Sequence, residues 1–132
     1  MRQILACRFP MAQILSDRAE AMTLADASCD TVITSLVLCS VDDVARVLVE
    51  IARVLAPGGQ YLFLEHVSNP RRGARMVQRG IEPLWQRLGG GCRLTRDVQT
   101  AVARSSLILT ECDSVRQGGI LPVIRGRAIK GP

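Results

Sequence analysis

The chain has 132 residues, room for one compact domain, and its 48% apolar and 22% charged content with a mean hydropathy of +0.19 is globular rather than disordered. Aromatic residues make up only 3%, which argues against a single-strand nucleic-acid binder that stacks bases on rings. The net charge of +5 admits an anionic partner, and no apolar run reaches the roughly 18–20 residues that span a membrane.

Residues 1–9 read as the end of a helix, 11–16 as a short strand and "DRAEAMTLADASCD" (17–30) as a polar loop. "TVITSLVL" (31–38) is β-branched and nearly all apolar, the pattern of a parallel strand buried on both faces. Ser40 then caps a helix whose first turn holds Asp42 and Asp43. Val44, Val47, Leu48, Ile51 and Leu55 recur at helical spacing. Pro57-Gly58-Gly59 stops that helix, and "QYLFLEHV" (60–67) is the next buried strand. The span 31–67 is therefore a βαβ unit with parallel, adjacent strands. Ligands in such sheets sit at the carboxyl ends of the strands, here residues 35–40 and 65–67.

Further on, Met76, Val77, Ile81, Leu84, Trp85 and Leu88 mark a basic amphipathic helix with a break near Gly80 or Pro83. Arg71, Arg72, Arg75, Arg79 and Arg87 are either a solvated face or a patch for an anionic surface, so segment 71–87 is a candidate peripheral membrane contact. Nothing else in the chain resembles a nucleic-acid module, and no nucleic acid is expected as a partner. "GGGC" (89–92) is a loop, and Thr95 caps a short helix at about 96–105. Residues 106–113 and 122–130 are two strands joined through Gly118-Gly119. The five cysteines, Cys7, Cys29, Cys39, Cys92 and Cys112, are odd in number and show no C-x-x-C spacing, and His66 is the sole histidine. Neither a disulfide framework nor a metal site is expected; each cysteine reads as a small buried hydrophobe in a reducing, cytoplasmic protein.

"RAEAMTLADASCDTVITSLVLCSV" followed by "VLVEIARVLAPGGQYLFLEHV" closely resembles the second half of a class I S-adenosylmethionine-dependent methyltransferase of type 11. "LVLCSV", "EHV", "EPLW" and "GCRLTRD" are similar to the subgroup of thiol methyltransferase-like proteins, with ubiquinone and menaquinone methyltransferases a more distant match. The resemblance covers about residues 11–130. It implies an α/β fold: an incomplete Rossmann-like sheet with helices on both faces, 31–38 and 60–67 as the family's fourth and fifth strands, and a closing antiparallel pair. The family's G-x-G-x-G loop and the acid after its second strand have no match here, so the chain reads as one partial domain over 1–132.

The resemblance implies S-adenosyl-L-methionine as cofactor and a small-molecule methyl acceptor, a thiol or a lipid-like molecule. It places Arg18, Ala19 and Glu20 at the adenine end of the cofactor and Ser35 and Leu36 at its methionine end. Arg18 stands where the family often has an acidic or polar side chain. Glu65, His66, Trp85 and Cys92 fall on the acceptor side; His66 is either a general base or an orienting residue, and Trp85 and Cys92 either line the pocket or pack the core. In the family's sheet the fourth strand pairs with the first. Without it the edge of 31–38 is bare, open to a homodimer, a complementing chain, the 11–16 segment or aggregation. The alternative to an enzyme is a non-catalytic remnant acting as a binding or dimerisation module. A third reading, an unrelated α/β module with a basic helix, does not explain the motif run.

Overall fold

The computed structural model describes residues 11–116 and 121–132. In chain order they form β1 (Cys29–Ser35), α1 (Val44–Val54), β2 (Leu55–His66), α2 (Arg72–Leu88), α3 (Val98–Ala103), β3 (Leu107–Arg116) and β4 (Val123–Lys130). The strands make one sheet in the order β1-β2-β4-β3, with β1 parallel to β2 and β4 antiparallel to both its neighbours. The expected βαβ unit and closing antiparallel pair are both present. The helix expected over 1–9 and the Gly118-Gly119 turn lie outside the described residues. No strand forms over 11–16. The chain after it closes into a loop, the Asp17 carboxylate accepting from the Thr23 amide at 2.7 Å and its hydroxyl at 2.6 Å.

The cap of α1 is Asp43, not Ser40: its carboxylate accepts from the Arg46 amide at 3.0 Å. Ser40 is engaged in the preceding turn, its hydroxyl reaching back to the Leu36 carbonyl at 3.5 Å. Helix α1 gives way to extended chain at Leu55, whose N–H still donates to the Ile51 carbonyl. Pro57-Gly58-Gly59 therefore bends the start of β2, through Gly58 at φ +75°, rather than ending the helix. Asp97 caps α3 in place of Thr95, accepting from the Thr100 amide at 3.0 Å and hydroxyl at 2.7 Å. The Thr95 amide donates instead to Glu82 at 3.0 Å. Helix α2 runs unbroken through Pro83; Gln78 is buried, Ile81 and Trp85 are half-buried, while Met76, Val77, Leu84 and Leu88 are exposed.

Alternation along β2 sends Tyr61, Phe63 and Glu65 to the inner face. There Val47, Leu48 and Ile51 of α1 and Val98 and Val102 of α3 pack on Leu55, Tyr61, Phe63, Leu107, Ile124 and Ala128. Thr34 of β1 joins this face, its hydroxyl 2.8 Å from that of Tyr61. Strand β1 is not buried on both faces as expected: Ile33 is 69% exposed, and Leu64 and Ile108 are exposed too. Among the described residues α1 and α3 share the inner face, and β1 and β3 are the sheet's two edges.

Arg53 clamps the 22–26 segment onto α1. It donates to Glu50 at 2.9 Å, Asp26 at 2.6 Å, and the Leu24 and Met22 carbonyls at 2.8 and 2.9 Å; the Met22 amide donates to Glu50 at 2.8 Å. The Arg53 hydrogen bond, then the Met22 amide, hold the Glu50 carboxyl down at about 2. The folded value lies below the unfolded one, so this contribution is complete above the ordinary 4.5 and is lost as pH falls toward 2. Urea denaturation at stepped pH should show the gap between wild type and Glu50→Gln closing over that window; a gap independent of pH would refute the clamp.

Candidate functional site

The two parallel strands end side by side, and Glu65 organises the turn that leaves the first of them. The alternation that buries Tyr61 and Phe63 puts this carboxylate at 0% exposure. A buried charge is tolerated only where donors converge on it. The chain leaving β1 supplies them: the amides of Val37 and Leu38 donate to Oε1, both at 3.0 Å, and that of Cys39 to Oε2 at 3.2 Å. To turn back over Glu65, Leu36 adopts φ +56°, a left-handed conformation costly for a branched side chain. Its amide stays in register on the Leu64 carbonyl at 2.8 Å. Arg96 donates to the Leu38 carbonyl at 2.6 Å, and the Arg93 amide to that of Cys39 at 2.7 Å. The 36–40 turn is held from three sides.

His66, the last residue of β2, reaches the same corner. One of its ring nitrogens and the sulfurs of Cys39 and Cys92 all lie within 4.8 Å of one another. Nδ1 of His66 is 3.6 Å from Cys92 Sγ. Trp85 of α2 packs on Cys39, Cys92 and Leu94, and its indole N–H is buried with no hydrogen-bond partner among the described residues. Burial first, opposed by the Ser40 hydroxyl and helped by the neighbouring Cys92 and Glu65, pushes the Cys39 thiol up to about 12. Burial also holds His66 below its ordinary value, against the pull of the Glu65 charge.

The expected acceptor-side residues His66, Trp85 and Cys92 thus meet at the carboxyl edge of the sheet. Glu65 is beside them but is spent on backbone amides, so it is a strut beneath the site and not part of a pocket lining. The cofactor-side residues fall on an adjoining rim. Arg18 donates to Asp42 at 2.7 Å and lies 3.5 Å from Glu20, whose carboxylate accepts from the Asp42 amide at 3.1 Å. Their side chains tie the 18–21 turn to the chain after Ser40, and Ala19 packs on the core. The Arg18 and Glu20 side chains are committed to each other and to Asp42, so S-adenosylmethionine, if held at this rim, would meet backbone at 18–21 and 36–40 rather than those side chains. A shallow cleft of about 300 Å³ lies between Arg18, Glu20, Asp42 and Arg46.

A larger cleft of about 430 Å³ opens just past His66, between Val67, Ser68, Asn69, Arg71, Arg96 and Ile124. Of its lining, sequence reading had placed only Val67 where ligands were expected, at the 65–67 strand end. The signal available was its position, immediately after a parallel strand's carboxyl end. Cys39 was likewise missed as a site residue, because its neighbours His66 and Cys92 are distant in sequence.

The family model described as "Methyltransferase domain" matches residues 2–63. Thiol S-methyltransferase TMT1B of Rattus norvegicus is 38% identical over 112 residues, covering 81% of this chain and 46% of the relative. The Homo sapiens protein of the same name is 41% identical over 114 residues, with the same coverage. The chain thus spans about half the length of the curated relatives it matches. Among solved structures, the YcgJ protein of Bacillus subtilis superposes with a TM-score of 0.74 at 13% identity, over 98% of this chain and 76% of that one. Geranyl diphosphate C-methyltransferase of Streptomyces coelicolor A3(2) gives 0.72 at 14%, over 98% and 59%. At such identities the likeness is one of fold.

Proposed function

Because the chain belongs to the class I methyltransferase family, we propose that it forms the acceptor-side part of an S-adenosylmethionine-dependent thiol S-methyltransferase. The observation that carries this reading is the 36–40 turn, braced on Glu65 and set against His66 at the carboxyl edge of two parallel strands. The names of the relatives that match 81% of the chain support the thiol as acceptor.

The cofactor supplies an electrophilic methyl group on a sulfonium. The chain's part is to place its acceptor in line and exclude water, where most of the rate of such a transfer originates. The Ala19 backbone N–H serves the adenine end, and Ser35 and Leu36 flank the methionine end. The acceptor enters the cleft past His66, where Val67 and Ile124 offer apolar contact and Arg96 a charge. His66 orients the Cys92 loop through its 3.6 Å contact rather than acting as a free base. The outer face of α2, with Met76, Leu84 and Leu88 exposed among arginines, suits peripheral contact with an anionic membrane. Among the described residues no helix is long and apolar enough to cross one.

Calorimetric titration with S-adenosylhomocysteine should give saturable binding, and labelled methyl should pass to an alkyl thiol in preference to the matching alcohol or a lipid-like acceptor. A folded chain that binds no cofactor would reject the reading. It would favour instead a non-catalytic docking module, for which the specific observation is the open edge of β1 with Ile33 bare; sedimentation would then show a dimer.

A further inference from the structure

Three segments far apart in sequence bring two thiols and the chain's sole imidazole to one corner. Cys39 lies in the turn after β1, His66 ends β2, and Cys92 lies in the loop after α2. Cys39 is fully buried and Cys92 is 5% exposed, while His66 is half-buried and forms the way in. From this geometry we infer that Cys39, His66 and Cys92 bind a zinc ion as three protein ligands, leaving a fourth position open.

The distances suit it. With Zn–S near 2.3 Å and Zn–N near 2.0 Å, tetrahedral ligand atoms stand about 3.5–3.8 Å apart. His66 Nδ1 and Cys92 Sγ are already 3.6 Å apart, and no pair in the cluster exceeds 4.8 Å. Side-chain rotations close the remainder. The donor set is right for the ion: thiolate and imidazole select zinc over the hard cations that prefer oxygen. Charge balance is right as well. Uptake of one Zn²⁺ releases two thiol protons to solvent, so the ion with two thiolates and a neutral imidazole carries no net charge, as a buried site requires.

The surroundings hold the ligands in place, as working metal sites demand. The Cys39 amide is bonded to Glu65 at 3.2 Å and its carbonyl to the Arg93 amide at 2.7 Å, which ties the first ligand's turn to the loop of the third. Ser40 Oγ stands 3.6 Å from Cys39 Sγ. Gly90 and Gly91, at φ +64° and +89°, let the loop fold back far enough to present Cys92. Three protein ligands and one open position is the arrangement of zinc sites that take up a substrate group. His66 directly precedes Val67, which lines the cleft assigned to the acceptor, so a thiolate is the class of group the fourth position would take. That last step rests on the proposed function; metal binding does not.

The test uses the 132-residue chain, reduced with a non-thiol reductant, stripped of metal and titrated with Co²⁺. Expected are the intense visible bands and sulfur-to-metal charge transfer of four-coordinate cobalt thiolate, saturating at one ion per chain and bleached by Zn²⁺. Trp85, the only tryptophan, packs on the cluster, so its fluorescence should quench in step. Cys39→Ser and Cys92→Ser should each weaken binding by more than about 100-fold and cut the charge-transfer intensity at saturation to about half, since changes merely outside the ligand shell cost ~10–100-fold. Cys29→Ser and Cys112→Ser should leave it intact. A folded wild-type chain, checked by circular dichroism, that takes up no cobalt overturns the site, whatever the variants do. So does an unchanged spectrum in the Cys39→Ser/Cys92→Ser double variant. Because the readout is independent of S-adenosylhomocysteine, metal binding without cofactor binding rejects the methyltransferase reading alone.

Discussion

Glu65→Ala should lower the unfolding free energy by about 4 kcal/mol, and Glu65→Gln by about 2 kcal/mol, taking ~1.5–3 kcal/mol for a hydrogen bond to a charged group and ~1–3 for a buried donor left unsatisfied. Alanine leaves three amides, those of Val37, Leu38 and Cys39, facing an apolar void. Glutamine can keep its oxygen toward Val37 and Leu38, but its amino group then confronts the Cys39 amide, donor against donor. The two losses should therefore be unequal in that order. Leu36 should feel both, since its φ of +56° persists only while the turn is pinned. Urea denaturation gives the ordering directly. If alanine costs less than about 1 kcal/mol, the value of an ordinary neutral hydrogen bond, Glu65 is not the strut, and its burial has another purpose.

Gly126→Ala should be nearly as damaging, at the upper end of the ~1–3 kcal/mol that overpacking costs. Gly126 sits in the central strand β4, opposite Phe63 on one side and Cys112 on the other. A Cβ there would collide with the Phe63 ring and stand 2.7 Å from the Glu111 carbonyl oxygen. The ring is buried in the core against Tyr61 and the carbonyl is backbone in the sheet, so neither yields cheaply. Adding Phe63→Leu should recover part of the loss, so the double variant would be less destabilised than the two single costs summed. Simple additivity would mean that Phe63 is not the obstruction.

The sheet was legible where one physical signal dominated. Long apolar runs at 31–38 and 60–67 separated by a helical stripe are hard to fold as anything but a βαβ unit. The caps were misplaced because Ser40 and Asp43, like Thr95 and Asp97, are equally able to cap; a turn contact to Leu36 and a longer-range one to Glu82 decided between them. The exposure of Ile33 was not legible, because a residue pattern describes what a strand can bury and not what lies over it. Glu65 carried a signal that was read too narrowly. A charge at an inward position of an apolar strand demands buried donors, and the amides after the neighbouring strand are near enough to provide them. Cys39, His66 and Cys92 have no spacing that links them; only the parallel pairing of β1 with β2, and the return of the chain along α2, bring them together.

The sheet order also sets the route by which the chain can fold. Strand β4 lies between β2 and β3, yet no strand has to be threaded between two already paired. β3 and β4 are sequence neighbours and pair antiparallel with few residues between them; β1, α1 and β2 close across a single crossover. The slow event left is the meeting of β2 with β4, from Gln60 with Ile129 to His66 with Val123, which closes the longest loop in the sheet. During synthesis, β2 emerges well before its partner exists, and for that interval the side of β2 that β4 will cover is itself an open edge.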